Sequence, residues 1–257
     1  MRRISVVGLV ALGALVAATA GFAQPAAGPT TYTFVAEWQI PRTQWANFES
    51  DFDKNSKPVF EKLAASGTIV GWGVFENIVH TEDGPTHGTW WIATSAAGLE
   101  QTRIELRNAT RASDSLATAT KHRDYYLRSL MANGKPGSGG GYLTVSSFLV
   151  KAGQANEWRQ LWEKYQKPIY DDLVAKGLLV GYSIDVEDVH TDSNAWRFVA
   201  TVSPNIDAED KIGAAFDAVT AKLSPEEQKT RTLAGQAVLE PGAHRDMFAR
   251  IIRHWSK

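Results

Sequence analysis

The chain repeats itself, and that limits its fold more than any other feature. With Tyr32 placed on Tyr142, an ungapped match runs for about fifty residues, and such self-similarity signals a duplicated structural unit. Gln44 falls on Gln154, Phe48 on Trp158, Phe52 on Trp162, Pro58 on Pro168 and Leu63 on Leu173. Gly67 then falls on Gly177, Val70-Gly71 on Val180-Gly181, and Val79-His80-Thr81 on Val189-His190-Thr191. With a short deletion in the next hairpin, Ala93-Thr94 aligns with Ala200-Thr201. Beyond an insertion, His122-Arg123-Asp124 aligns with His244-Arg245-Asp246, and Arg128 with Arg250. The matches keep their order and include Gly, Pro and His, so chance is a poor explanation. The expected organisation is one repeat over 32–132 and a second over 142–257. Between them Asn133 to Gly141 is Gly/Ser-rich with one Pro, the composition of a flexible linker.

Each copy reads β-α-β-β-α-β. Tyr32 to Ile40 and Tyr142 to Val150 are β-branched and aromatic runs. Trp158, Trp162, Tyr165, Ile169 and Leu173 then recur at helical spacing, with Trp45, Phe48, Phe52, Val59 and Leu63 as the looser first copy. These aromatics are expected in the core. Pro58 and Pro168 interrupt the stripe, so each kinks the helix or starts a second one. Gly67 and Gly177 are C-cap residues. In the next strand Val180, Tyr182, Ile184 and Val186 share one face, and Gly181, Ser183, Asp185 and Glu187 the other. A hairpin and a third strand follow, at Thr89 to Thr94 and Trp196 to Val202. The second helical region is about Gly98 to Ala119, and Asp207 to Gly235 in the longer second copy. There Ser224-Pro225-Glu226-Glu227 has the form of a fresh helix start. The last strands are about Arg123 to Met131 and Arg245 to Arg253.

This order is the ferredoxin-like plan. Two such units, each with a Pro-containing first helix, a Gly before the second strand and a charged last strand, resemble the dimeric α/β-barrel superfamily. That superfamily includes antibiotic-biosynthesis-monooxygenase, EthD, NIPSNAP and chlorite-dismutase-like proteins. The resemblance implies an α+β fold in which two tandem ferredoxin-like repeats close a pseudo-dimeric α/β barrel. It carries no catalytic motif, and the superfamily hosts oxygenases, haem enzymes, isomerases and sensors, so it leaves the activity open.

Composition removes several classes. The chain has no Cys, which excludes thiol nucleophiles, thiolate metal sites and disulfides. Its formal net charge of -1 gives no pointer to nucleic acid. Arg2 and Arg3, the apolar run Ile4 to Ala20, and Gly21-Phe22-Ala23 read as a signal peptide cut after Ala23, with Ala20 as a second candidate. A retained membrane anchor is the alternative. The expected compartment is periplasmic or secreted, with residues 24–31 a disordered lead-in and no stable membrane span after cleavage.

Candidate chemistry centres on the matched last strands. If extended, His122, Asp124, Tyr126 and Arg128 share one face, as do His244, Asp246, Phe248 and Arg250. His shuttles protons near neutral pH and Arg offers a donor fork, so His122 and His244 are the candidate catalytic residues. Asp124, Arg128, Asp246 and Arg250 are candidate ligand contacts. The two sets converge if the barrel has twofold symmetry; the alternative is a structural role in surface or inter-repeat ion pairs. Glu37, with Thr33 and Gln39, faces away from Tyr32, Phe34 and Trp38. If helices cover the aromatic face, Glu37 lines the barrel, where burial raises a carboxyl pKa towards that of a general base. His80 and His87 with Glu82 and Asp83 suggest a divalent metal, but the second copy has only His190 there, and a hairpin histidine bonded to the turn is the preferred reading. His122, His244, His80 and His190 are haem-ligand candidates by type alone; no metal and no cofactor are expected.

The resulting expectation is a small-molecule-binding protein, monomer or homodimer, with a cavity between its repeats. The alternatives are a cofactor-independent monooxygenase or isomerase acting on an aromatic or carbonyl substrate, and a protein-interaction module. A closed, dry cavity with convergent His and Arg favours the enzyme, and an open sheet with a large apolar patch favours the module.

Overall fold

A computed structural model describes residues 30–189 and 195–257. The leader and the hairpin tip that carries His190 lie outside these. The described residues form eight strands: β1 Tyr32–Gln39, β2 Gly71–Asn77, β3 His87–Ala93, β4 Lys121–Gly134, β5 Gly137–Leu149, β6 Gly181–Glu187, β7 Trp196–Ser203 and β8 Arg245–Ser256. The helices are α1 Trp45–Asp51, α2 Lys57–Ala65, α3 Ala96–Ala109, α4 Asp114–Ala117, α5 Ala155–Tyr165, α6 Lys167–Ala175, α7 Ile206–Ala221 and α8 Pro225–Val238.

All neighbouring strands run antiparallel, and the sheet closes on itself in the order β1-β3-β2-β8-β5-β7-β6-β4. β4 and β8 each pair on one side with the first strand of their own half of the sequence. On the other side they pair with the second strand of the opposite half. Closure leaves no unpaired edge. The open sheet that an interaction module would need is therefore absent from the described residues.

Alternation along the strands divides inside from outside. On β1 the odd positions Thr33, Val35 and Glu37 line the barrel, and Tyr32, Phe34 and Trp38 pack under helices. One helix-covered core gathers Phe48, Phe52, Phe60, Leu63, Trp72 and Trp91. A second gathers Trp158, Trp162, Leu173, Tyr182 and Ile184. The aromatic stripes are thus core. Pro58 and Pro168 sit in the first turn of α2 and α6, where the absent N–H costs nothing. A π-helical turn, Phe52–Ser56, joins α1 to α2. Ser224 and Glu227 form a complete capping box on α8.

Two expectations need correction. The stretch Asn133 to Gly141 is not a free linker: β4 runs to Gly134 and β5 starts at Gly137, pairing with the end of β8. Its glycines serve close packing. Gly141 has φ +152° beside a bulge, and a Cβ there would lie 2.4 Å from the Ser203 carbonyl oxygen. The second correction is one of register. Tyr32 faces Ala93 and Tyr142 faces Ser203, so the counterpart of Ala93 is Ser203. No deletion intervenes in the third strand. Trp90 therefore corresponds to Ala200, and His87 to Arg197.

Candidate functional site

The barrel interior holds a partly open cavity of about 430 Å³. Its shape follows from unequal residues at corresponding inward positions. In the first half Trp90 and Phe75 fill the interior, and glycines make room for them. A Cβ on Gly73 would fall 2.1 Å from the Trp90 ring, and one on Gly88 2.3 Å from the Phe75 ring. In the second half Ala200 stands in place of Trp90, and Asp185 in place of Phe75. An indole becomes a methyl and a phenyl becomes a carboxyl, while a phenyl, Phe198, stands in place of Gly88; the cavity lies among these side chains. Tyr125 and Phe198 wall it edge to face, with ring centroids 5.7 Å apart.

Glu37 lines this cavity at 8% exposure, with no hydrogen bond to its carboxyl among the described residues. Burial pushes its pKa from 4.5 up to about 7, and the positive charge of Arg123, its register partner on β4, opposes the rise. Asp185 is buried at 3% exposure. Its two oxygens accept hydrogen bonds from the Ser129 hydroxyl at 2.5 Å and the Ser183 hydroxyl at 2.6 Å. Burial raises its pKa against those two bonds. His254 also lines the cavity. Its Nδ1 lies 2.9 Å from the Gly139 carbonyl, which only accepts, so that nitrogen carries the proton and Nε2 is left buried without a partner. Burial lowers its pKa, which keeps the ring neutral.

The last-strand residues share a face as expected, but it is the outer face. Three strands separate β4 from β8 in either direction round the barrel, so the two sets lie on opposite sides and do not converge. His122 stacks on Trp38, with ring planes 1° apart, and its Nε2 is 2.9 Å from Asp124. That bond raises the His122 pKa. His244 stacks on Phe148 and sits 3.0 Å from Asp246. Arg128 pairs with Asp188 at 2.9 Å; Arg250 bridges Glu76 at 2.7 Å and Glu49 at 2.9 Å. Each of these arginines ties one half of the chain to the other. Exposed pairs of this kind contribute about 0–1 kcal/mol each.

The hairpin histidines make no metal centre. His87 is fully buried in the helix-covered core against Trp45 and Phe48, with its pKa lowered to about 4 by burial. His80 touches Trp45 from outside, and Asp83 pairs with Lys121. Among the described residues no three His, Asp or Glu side chains gather at one point. Of the haem-ligand candidates, His122, His244 and His80 all lie outside the barrel, and His190 is beyond the described residues. Sequence reasoning missed His254, Tyr125 and the opening at Ala200. The Ala200 signal was present but hidden by the misplaced register of the third strand.

No known family model matches the chain, and no curated protein matches it in sequence. Solved structures do match. A "putative monooxygenase" from Fusobacterium nucleatum superposes with TM-score 0.66 at 8% identity, over 89% of this chain and 95% of that one. A "putative monooxygenase" from Lactobacillus acidophilus gives 0.61 at 11%, over 88% and 96%. An anthrone oxidase-like protein gives 0.51 at 12%, over 89% and 94%. The chain thus shares the α/β-barrel fold of these solved structures. At such identities the likeness concerns the fold alone.

Proposed function

We propose that the chain is an exported pseudo-dimer of two ferredoxin-like repeats that binds a small aromatic or carbonyl-bearing molecule inside its barrel, where Glu37 moves a proton on it. The observation that carries this reading is a carboxyl of pKa about 7 that faces the aromatic-walled barrel cavity without a hydrogen-bond partner among the described residues. A general base works best when its pKa lies near the working pH. As the carboxylate, Glu37 takes a proton from a C–H next to a carbonyl, and the electron pair passes to the carbonyl oxygen. Returning the proton at another carbon completes an isomerisation. With O2 as oxidant and the substrate as reductant, the same deprotonation opens oxygenation of a methylene to a carbonyl, with water as the second product. The monooxygenase names of the structural neighbours agree with this second outcome. Pure binding without turnover is the simpler reading, and it shares the cavity.

The test is a thermal-shift screen of aromatic carbonyl compounds against wild type and Ala200→Trp, which places in the second half the ring that the first half already holds. Ligands of the barrel raise the melting temperature of wild type only. Equal shifts in the variant would move the site elsewhere.

A further inference from the structure

Asp185 poses a question that proton transfer at Glu37 leaves open. Its counterpart is Phe75, a phenyl that packs the interior and is 1% exposed. A carboxyl at a corresponding buried position loses that packing and must be desolvated. Two hydroxyls from different strands are set to meet it, Ser129 on β4 and Ser183 on β6. Contacts of 2.5 and 2.6 Å hold one hydroxyl on each carboxyl oxygen. The carboxyl is thus fixed in orientation with lone pairs to spare, beside the space that Ala200 leaves open. The neighbouring wall is the Tyr125–Phe198 pair, against which an aromatic body can pack; one face of Tyr125 already carries the Arg123 guanidinium, 4.6 Å from the ring centroid. Among the described residues no lysine or arginine side chain bonds to Asp185.

We propose that the second half of the cavity is a subsite for a nitrogen donor, an amine or similar cationic group carried on an aromatic body, with Asp185 as its acceptor. The proposal rests on reading the barrel as the ligand site and adds the class of ligand. The ammonium meets the Asp185 carboxylate as its third partner. The aromatic body lies along Tyr125 and Phe198.

Three probes of one shape test it: 2-naphthylmethylamine, 2-naphthalenemethanol and 2-naphthoate. Dissociation constants are read by calorimetry on the full chain at a single pH near neutral, in wild type and in Asp185→Asn, Glu37→Gln and Ala200→Trp. Wild type is expected to favour the amine over the alcohol by about tenfold, the scale of one charge-assisted hydrogen bond, and the naphthoate to bind weakest. Asp185→Asn should bring the amine-to-alcohol ratio close to one and leave alcohol binding intact. Glu37→Gln should preserve the ratio. An unchanged ratio in Asp185→Asn, or its loss in Glu37→Gln alone, overturns the subsite. Failure of all three probes in wild type, or their undiminished binding to Ala200→Trp, overturns the cavity reading itself.

Discussion

Glu37→Gln offers a prediction whose size follows from the structure. The folded chain holds the Glu37 pKa at about 7, against an ordinary 4.5, and burial is the main cause. At about 1.4 kcal/mol per unit, the difference is worth about 3 kcal/mol. The sign follows from linkage. Below pH about 4.5 the carboxyl is protonated both folded and unfolded, and it costs nothing. Between about 4.5 and 7 the unfolded chain releases the proton while the folded chain retains it, so stability falls as pH rises. Above about 7 both forms are ionised and the full loss is in place. Gln at this position is neutral throughout and removes the dependence. Urea unfolding of wild type and variant in steps from pH 4 to 8 isolates the effect, because every other titrating group cancels in the difference. Relative to the variant, wild type should lose about 3 kcal/mol across the range, with most of the change between pH 5 and 7. Parallel stability curves would show that Glu37 is solvated, and the case for its near-neutral pKa would fail.

Other expectations are simpler. His122→Ala and His244→Ala should leave the affinity of any barrel ligand within about twofold, since both rings stack on the outer face; a calorimetric loss greater than tenfold would return them to the site. Gly73→Ala should destabilise by about 2 kcal/mol or more in urea unfolding, because its Cβ would meet the Trp90 indole at 2.1 Å. Ser224→Ala should cost about 1 kcal/mol through loss of the α8 cap, with ligand affinity unchanged.

Much of the architecture was legible in the sequence because it is written in periods. The aromatic stripes at helical spacing became the helix-covered cores, and the two-residue period of β6 separated Tyr182 and Ile184 from Ser183 and Asp185. The inward position of Glu37 followed from the aromatic face of β1, because helices must cover that face. The same argument applied to β4 would have turned His122 and Asp124 outward, since Tyr126 shares their face and packs with the helix-covered core. Charge on a strand drew attention towards the interior, while the aromatic on the same face marked the exterior. The glycine-rich stretch had the composition of a linker. Its role is set by close contact with Ser203 and by pairing to β8, and neither is local. The opening at Ala200 lay behind a short Ala-Thr identity that outweighed a register fixed only by strand pairing.

The central claim is that Glu37 exchanges a proton with a molecule held in the barrel. Solvent-deuterium incorporation tests it most directly. A carbonyl compound found by the thermal-shift screen is incubated in D2O with wild type or Glu37→Gln, and proton NMR follows loss of the signal next to the carbonyl. Wild type should exchange that position, and the variant should bind comparably yet exchange about 10²–10⁴-fold more slowly, the usual worth of a positioned general base. Equal exchange by the two proteins, or none by wild type when ligand is bound, would contradict the account.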